Sequence, residues 1–226
     1  MPGYKTRNLC VRLGGHDFHI RALSDLQQFA DPDGLAERAG ISSSLWSLFG
    51  QVWPSGRVLA EAMSSFEVAG KRILELGCGL GLASLVLQRR GADIVATDHH
   101  PLAEPFLAHN AALNGLAAIA YRDLPWAVPN LALGRFDLII GSDILYERDH
   151  ASQLAAMLLR HAHVDAEVLI TDPGRGNSSL LTRALAAQGY SVTELRSRFD
   201  ERDQLPFRGR LLSYRRGASA TDGLCA

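Results

Sequence analysis

A glycine-rich turn and one downstream acid form the strongest chemical signal in the sequence. The turn is the run Glu75–Gly81, ELGCGLG, which follows a short apolar run and precedes a segment of helical period. Gly77 and Gly79 lack a Cβ atom, so the backbone there can take positive φ and approach a ligand closely. Asp98 ends the next apolar run, roughly 20 residues on, where a carboxylate can accept hydrogen bonds from ribose hydroxyls. Together these features predict an adenosine-containing ligand.

The spacing within the turn favours one adenosine ligand over another. Gly81 comes two residues after Gly79, whereas the third glycine of a dinucleotide-binding turn usually comes three residues after the second. Glu75 would repel a pyrophosphate but attract the cationic amino-acid end of S-adenosyl-L-methionine. Cys78 supplies the small side chain that the middle of the turn requires. We therefore expect S-adenosyl-L-methionine, the methyl donor, rather than NAD as the cofactor.

An alternating α/β scaffold is predicted to hold these residues. From Lys71 onward, short β-branched runs alternate with segments of helical period, which is typical of βαβ units. Strands are predicted at Arg72–Glu75, Asp93–Thr97, Ala118–Arg122, Phe136–Gly141 and Glu167–Thr171. Helices are predicted at Leu82–Arg90, Pro101–Asn114, Arg148–His161 and Ser178–Gln188. The last two strands, Ser191–Arg198 and Arg210–Arg215, have only the polar loop Asp200–Gly209 between them, which predicts an antiparallel ending.

The domain organisation follows from these elements. Residues 1–50 are expected to form an N-terminal elaboration that packs on the core, with a hairpin at Asn8–Ile20 and a helix. Residues 51–216 are expected to form the main domain, which includes a helix at Arg57–Ser65, and residues 217–226 a disordered tail.

Composition narrows the function classes. The chain of 226 residues has 23 Lys and Arg against 24 Asp and Glu, so it lacks the basic excess that binds nucleic acid non-specifically. No run approaches the roughly 20 apolar residues of a membrane span, and no secretory signal is apparent. Cys10, Cys78 and Cys225 show no metal or disulfide spacing, which favours a reducing cytoplasm. No metal site is expected. His99 and His100 directly follow Asp98 and could border the adenine, but they are attributed to surface polarity.

Four segments together resemble a known family. They are Trp53–Gly56 (WPSG), the Glu75–Gly81 turn, the stretch from Asp98 to Asn114 that contains HNAALN, and Ser142–Tyr146 (SDILY), which fits a D-x-x-Y signature. The chain resembles the seven-β-strand, class I methyltransferases that use S-adenosylmethionine, and more narrowly the family 16 group of protein-lysine methyltransferases. The resemblance implies a Rossmann-like α/β fold with a mostly parallel sheet, an antiparallel C-terminal hairpin and helices on both faces.

The resemblance also implies residues of a donor site. Trp53, the Gly77–Gly79 turn, Asp98, Trp126 and Ser142 would line it. Trp126 follows a predicted strand and turn, so its indole could stack on adenine, while Trp53 could close over the methionine part of the donor. Each tryptophan could instead be an ordinary core aromatic.

The acceptor is expected at the carboxyl edge of the sheet. Asp143 and Tyr146 lie just beyond a predicted strand and could shape a channel for the methyl acceptor. Alternatively, Asp143 caps a helix that begins near Glu147. The segment Asp172–Arg175 resembles one found in family members that methylate a flavoprotein subunit, so Arg175 either contacts an acidic substrate or belongs to a tight turn.

The sequence-based hypothesis is a monomeric protein methyltransferase, with lysine the favoured acceptor and a protein as the partner. A small-molecule methyltransferase is an alternative, because one fold serves many acceptors. A second alternative is a non-catalytic adenosine-binding module that acts through an Arg-rich C-terminal surface: Arg196, Arg198, Arg202, Arg208, Arg210, Arg215 and Arg216. Acids interspersed in that stretch favour a solvated hairpin instead.

Overall fold

The structure, a computed structural model, describes residues 4–28, 31–196 and 209–216. The strands are β1 Thr6–Leu13, β2 His16–Leu23, β3 Arg72–Leu76, β4 Asp93–Asp98, β5 Ala120–Asp123, β6 Phe136–Ser142, β7 Ala162–Asp172, β8 Tyr190–Arg196 and β9 Arg210–Arg216. The α-helices are α1 Leu35–Arg38, α2 Pro54–Ser65, α3 Leu82–Arg89, α4 Ala103–Leu113, α5 His150–His161 and α6 Ser178–Ala186. Short 3₁₀ turns occur at Ser43–Leu45, Leu48–Gly50 and Leu131–Leu133.

The central sheet has seven strands in the order β5-β4-β3-β6-β7-β9-β8. Strands β3 to β7 run parallel, and β9 pairs antiparallel with both β7 and β8. This arrangement confirms the predicted Rossmann-like fold with an antiparallel ending. The strand order reverses between β3 and β6, and open α/β sheets bind ligands beyond the carboxyl ends of the strands at such a switch point.

Two hydrophobic clusters cover opposite faces of the sheet. Adjacent residues of one strand join different clusters, as Leu138 and Ile139 of β6 do, because side chains alternate along a strand. Helices α2 and α3 pack in one cluster, and α5 and α6 pack in the other. Helices therefore lie on both faces, as predicted.

The N-terminal hairpin of β1 and β2 packs beside this sheet as a separate two-stranded sheet. It turns at Gly14 and Gly15, both at positive φ, as the sequence predicts. Asn110 of α4 and Asn114, which caps its C-terminus, accept hydrogen bonds from the backbone N–H groups of Arg21 and His19, respectively, each at 2.8 Å. The helix thereby satisfies donors along the β2 edge that would otherwise be open.

Some boundaries differ from the sequence-based predictions. Helix α2 begins at Pro54, three residues earlier than predicted, because the fixed φ of proline suits the first helical position. Helix α4 begins at Ala103 rather than Pro101, since the Ala103 N–H donates to the His100 carbonyl in a preceding turn. Strand β7 begins at Ala162, ahead of the predicted Glu167. Its register with β6 shifts between the pair Phe136–Ala162 and the pair Leu138–Glu167.

Two expectations lie partly or wholly outside the described residues. These are the predicted loop Asp200–Gly209, of which only Gly209 is described, and the predicted tail, residues 217–226. Among the helices of the described ranges, none is long and apolar enough to cross a membrane.

Candidate functional site

A cavity of about 1080 Å³ lies at the carboxyl edge of the sheet, at the switch point between β3 and β6. The ten residues that the sequence and the resemblance nominated for the site all line it: Trp53, Glu75, Gly77, Cys78, Gly79, Asp98, Trp126, Ser142, Asp143 and Tyr146. These residues are contributed by segments up to 93 positions apart in the chain (53 to 146), so the fold assembles the cavity from distant parts.

The glycine turn has the backbone geometry that the sequence predicts. Gly77, Gly79 and Gly81 have φ values of 60°, 52° and 78°, in the left-handed region that favours glycine. A Cβ atom at Gly79 would lie 2.7 Å from the Phe49 carbonyl oxygen, so the segment around Phe49 rests directly on the turn. A Cβ atom at Gly81 would meet the Leu107 side chain of α4. Gly81 therefore permits close packing of α4 on the turn.

Asp98 ends β4 beside the glycine turn. Its Oδ2 atom accepts a hydrogen bond from the Gly79 N–H at 2.8 Å, and its Oδ1 atom accepts one from the His100 N–H at 2.8 Å. Burial raises the pKa of Asp98, and these backbone donors oppose that rise. Each carboxylate oxygen has two lone pairs, so each can still accept a hydrogen bond from a ligand hydroxyl.

Glu75 has a structural partner that the sequence did not reveal. Its side chain is almost fully buried and accepts hydrogen bonds from the N–H of Ser84, at 3.0 Å, and from the Ser84 hydroxyl. Burial raises the pKa of Glu75 to about 7, although both Ser84 hydrogen bonds act to lower it. Glu75 therefore braces the first turn of α3 while it also lines the cavity.

A covering segment, residues 40–53, lies over the glycine turn and Asp98. The Phe49 ring stacks on His100 with 4.0 Å between ring centroids, and the Trp53 indole N–H donates to the Leu48 carbonyl at 2.8 Å. Only 5% of His100 is exposed, so its attribution to surface polarity was wrong. Burial lowers the pKa of His100 to about 4, and a neutral ring packs against Phe49 without the cost of desolvating a charge.

Asp143 lies at the other end of the cavity in an unusual conformation. Its φ is 52°, and it is the non-glycine residue at positive φ among those the structure describes, a conformation that costs about 1–2 kcal/mol for most L-residues. Its N–H donates to the Thr171 carbonyl of β7 at 2.9 Å, which fixes the turn after β6. The side chain is 11% exposed and points to Arg175.

Arg175 binds Asp143 through two parallel hydrogen bonds. The Nε atom donates to Oδ1 at 2.6 Å, and an Nη atom donates to Oδ2 at 2.8 Å. The hydrogen bonds that Arg175 donates to Asp143 raise the pKa of Arg175. Asp143 does not cap a helix, because α5 begins later, at His150 after Asp149. Neither sequence-based alternative for Arg175 included its partner in the structure, which is Asp143.

Tyr146 and Trp126 flank His150, a residue that the sequence analysis did not single out. The Tyr146 and Trp126 rings contact His150 edge to face, with centroid separations of 4.6 and 5.3 Å. A ring nitrogen of His150, Nδ1, lies 3.0 Å from the Ile144 carbonyl, which orients the ring. Burial, and then the nearby acids Asp98, Glu147 and Asp143, raise the pKa of Tyr146 to about 12.

Sequence signals for the missed residues exist but are weak. His150 follows Tyr146 by four residues and begins α5, so its side chain returns toward the preceding loop. The sequence analysis named Arg175 but missed its contact with Asp143; the arginine stands between Gly174 and Gly176, just after the carboxyl end of β7. Phe49 lies in a segment without periodicity, and its contact with the glycine turn is visible only in three dimensions.

Comparison with known proteins gives a family match and several relatives. The sequence model of a family described as "Lysine methyltransferase" matches residues 42–180, more than half of the chain. The electron transfer flavoprotein beta subunit lysine methyltransferase of Mus musculus is 34% identical over 165 residues, which cover 70% of this chain and 62% of the relative. Protein N-lysine methyltransferase METTL21A of Danio rerio is 33% identical over 67% of this chain and 74% of its own.

Solved structures share the fold. The T. thermophilus 16S rRNA methyltransferase in complex with AdoMet and guanosine aligns with a TM-score of 0.64 at 19% identity, covering 96% of this chain and 52% of that one. At this identity the likeness concerns the fold alone.

Proposed function

The chain belongs to the lysine methyltransferase family, and from that premise we propose that it transfers a methyl group from S-adenosyl-L-methionine to a lysine side chain of a protein. The observation that carries the proposal is one continuous cavity. Its lining includes both the glycine turn with Asp98 and the Asp143–Tyr146 pair of the D-x-x-Y signature. Donor and acceptor would therefore meet inside a single cavity.

The donor end fits S-adenosyl-L-methionine. The glycine turn leaves the backbone accessible next to Asp98, whose carboxylate oxygens have lone pairs left for the ribose hydroxyls. Trp126 also lines the cavity and offers an aromatic face for adenine. The amino-acid end would lie toward Glu75 and Trp53, where a bound cation would favour the ionised form of Glu75.

The cavity also has room for a second reactant. Pockets that enclose one small ligand have volumes of about 300–1,000 Å³, so 1080 Å³ can hold the donor and an extended lysine side chain. The acceptor would enter at the end lined by Asp143, Tyr146 and His150. Tyr146 is the most exposed of these three residues, which suits a position at the mouth.

When bound, the donor supplies an electrophilic methyl group that a nucleophile attacks in line, so alignment and exclusion of water do most of the catalytic work. The covering segment excludes water at the donor end through Phe49, which packs on His100. Asp143 orients the acceptor nitrogen at the other end. Tyr146, with a pKa of about 12, keeps its phenolic proton at neutral pH and acts as a hydrogen-bond donor rather than a base.

The acceptor nitrogen must lose a proton before it attacks. The ordinary lysine pKa is near 10.4, and the cationic sulfonium of the donor, together with burial against an apolar rim, would lower it so that the ammonium releases a proton to solvent. The rings of Trp126, Tyr146 and His150 provide that rim. Asp143 can first receive the amine as an ammonium ion and then hold the remaining N–H groups of the neutral amine.

The substrate protein and cellular setting are also proposals. The mouse relative is named as a lysine methyltransferase of the electron transfer flavoprotein beta subunit, so that subunit is a first candidate substrate. The matched region spans 62% of that relative. The near-even charge balance disfavours nucleic acid as a partner. We propose a monomer in the cytoplasm, with support for the latter from the free thiols of Cys10 and Cys78.

A non-catalytic binding module is less well supported. Arg210 pairs with Glu194 at 3.2 Å, and Arg215 pairs with Glu167 at 2.7 Å. Arg216 lies over the Tyr190 ring, 4.6 Å from its centroid. These described arginines are engaged within the fold, which leaves less free positive charge for a partner.

Transfer of labelled methyl from S-adenosyl-L-methionine tests the proposed function. The chain is incubated with a cell extract and separately with the purified electron transfer flavoprotein beta subunit, and labelled proteins are analysed by mass spectrometry. Asp98→Ala should abolish the labelling because it removes the carboxylate that accepts hydrogen bonds from the ribose hydroxyls of the donor. Asp123→Ala is the matched control, since the Asp123 side chain is exposed and, among described residues, forms its side-chain hydrogen bond with the half-exposed His99.

Each outcome assigns a function class. A labelled lysine in a protein, lost with Asp98→Ala and kept with Asp123→Ala, supports the proposal. Label confined to small molecules would favour a small-molecule methyltransferase. Donor binding without any transfer would favour the non-catalytic module.

A further inference from the structure

Arg175 occupies the position on Asp143 that an acceptor amine would need. Both carboxylate oxygens of Asp143 are engaged by the guanidinium, at 2.6 and 2.8 Å. Arg175 itself lines the cavity, together with Tyr146 and His150. A lysine ammonium that reached Asp143 in this arrangement would have to share the carboxylate with the guanidinium, whose like charge repels it.

The pair is asymmetric in a way that favours movement of the arginine. The Asp143 side chain is 11% exposed, whereas the Arg175 side chain is 45% exposed. Gly174 and Gly176 flank Arg175 with φ values of 95° and 93°, and a Cβ atom at either would meet nothing within 4 Å. The arginine thus stands on an open, glycine-flanked loop, while the acid is fixed by the hydrogen bond between its N–H and Thr171.

Burial explains why Asp143 needs a cation at all times. A mostly buried carboxylate without a partner is costly, because the protein replaces little of its lost hydration. Arg175 supplies the partner in the free protein. Asp172 also stabilises the positive charge of Arg175, so a displaced guanidinium would remain near an acid as well as near solvent.

We propose that Arg175 is an exchangeable counter-ion: it holds Asp143 in the free protein and is displaced when the acceptor amine binds there. This inference rests on the proposed function, since it assumes that Asp143 receives the amine. Exchange of one cation for another keeps the buried Asp143 paired throughout, although the amine must compete with Arg175 for the carboxylate. Arg175 is accordingly a positioning residue that tunes acceptor affinity.

A binding experiment tests the exchange without any turnover. The Nε–H signal of Arg175 is identified in a ¹⁵N spectrum of the full chain by its loss in Arg175→Lys. The probe is n-butylammonium, which mimics the lysine side chain, and tetramethylammonium at equal concentration is the control because it has no N–H donor. We expect n-butylammonium alone to move the signal toward that of free arginine and to speed its hydrogen exchange. A signal that stays in place throughout the titration overturns the proposal.

Kinetics give a second, independent test on the protein substrate found by labelling. Arg175→Gln removes the competing charge and should lower KM for the acceptor about three- to tenfold while kcat changes less than about twofold. Arg183→Gln, an exposed site on α6, is the control for loss of one positive charge. A higher KM or a much lower kcat in Arg175→Gln would mean that Arg175 is a fixed support of Asp143, contrary to the proposal.

The two proposals fail in different ways. If the native chain methylates no protein, the proposed function fails, yet the n-butylammonium titration still decides whether Arg175 exchanges. If methylation occurs and the Arg175 signal never moves, the proposed function stands and the exchange is wrong.

Discussion

The donor end and the acceptor end of the cavity are constructed differently. At the donor end, the glycine turn and Asp98 lie on neighbouring parallel strands and are joined by a backbone hydrogen bond from Gly79. At the acceptor end, Asp143 and Arg175 are joined by side chains alone, across 32 positions of sequence. Main-chain hydrogen bonds fix the backbone at both ends, but the acceptor end depends in addition on an ion pair with an arginine on a surface-exposed loop.

This difference suggests that the donor end binds a constant ligand and the acceptor end selects a variable one. A ligand that is the same in every turnover can be bound by backbone groups, which do not vary with side-chain substitution. An acceptor that differs between related enzymes is better selected by exposed side chains on loops, which tolerate change. Mutations at the donor end should therefore disturb both stability and donor binding, whereas those at the acceptor end should alter turnover with little effect on either.

The largest expected effect is at Gly79. Gly79→Ala would force a Cβ atom to 2.7 Å from the Phe49 carbonyl oxygen, so the covering segment must shift. We expect a loss of about 2–4 kcal/mol in the free energy of unfolding and a donor affinity at least about 100-fold weaker. Chemical denaturation and calorimetric titration with S-adenosyl-L-methionine would measure both.

Gly91→Ala is the control for Gly79→Ala. Gly91 also has positive φ, at 71°, but a Cβ atom there meets nothing within 4 Å. It should lose only about 1 kcal/mol, the cost of the backbone conformation, and bind the donor normally. Equal effects in the two variants would show that contact with Phe49 is unimportant.

Asp143→Asn tests the acceptor end. Asparagine tolerates positive φ, so the backbone should keep its shape while the charge is lost. We expect turnover to fall about 100-fold or more with donor affinity unchanged within about twofold. A parallel fall in donor affinity would contradict the proposed separation of the two ends.

Glu75→Gln links the donor end to pH. The pKa of Glu75 is raised from its ordinary 4.5 to about 7, so the folded state binds more protons than the unfolded state in that window. Native stability should therefore decline as pH rises from 4.5 to 7, and Glu75→Gln, which stays neutral, should be about 1–3 kcal/mol more stable at pH 8.

The affinity for the donor should depend on pH in the opposite direction to native stability. If the cationic amino-acid end of the donor lies near Glu75, native affinity should increase as pH rises through about 7. Glu75→Gln should bind about tenfold more weakly at pH 8 and lose this pH dependence. Calorimetric titrations between pH 6 and 8.5 would measure it, and an unchanged pH profile would place the amino-acid end elsewhere.

The smallest effect is expected for Tyr146→Phe. The ring remains against His150 and only the hydroxyl is lost, so kcat should fall less than about tenfold. Because the pKa of Tyr146 is about 12, its ionisation should not contribute to the rate profile between pH 7 and 10. A change of the rate with pH between pH 7 and 10 that is present in the native protein and absent in Tyr146→Phe would show that the phenol titrates during turnover.

The fold could be predicted from the sequence because its signals are local. Alternation of apolar runs and helical segments predicts the parallel core, and the missing helix before β9 predicts the antiparallel ending. Boundaries were less accurate where tertiary contacts overrode the pattern. Strand β7 extends back to Ala162 because it pairs with Phe136 there, although residues 163–165 are exposed and carry no apolar periodicity.

Some site residues could likewise be predicted from local sequence, whereas the partners of others depend on tertiary contacts. Gly77, Gly79 and Asp98 follow from short-range sequence rules, since strand ends and positive φ leave clear residue preferences. The partners of Glu75 and Asp143 do not, because Ser84 and Arg175 meet them only after the chain has folded. His100 was misjudged for the same reason: its burial depends on Phe49, which is 51 positions earlier in the chain (49 to 100).

By itself, the sequence determined the order of strands and helices, the glycine turn and the acid that follows it, because each depends on the conformational limits of a few neighbouring residues. Only the tertiary structure decided which side chains share the cavity and how they are charged. Burial raises the pKa of Glu75 to about 7 and leaves Asp143 with Arg175 as its counter-ion. Such effects depend on distance and on exclusion of water, and neither quantity is a property of local sequence.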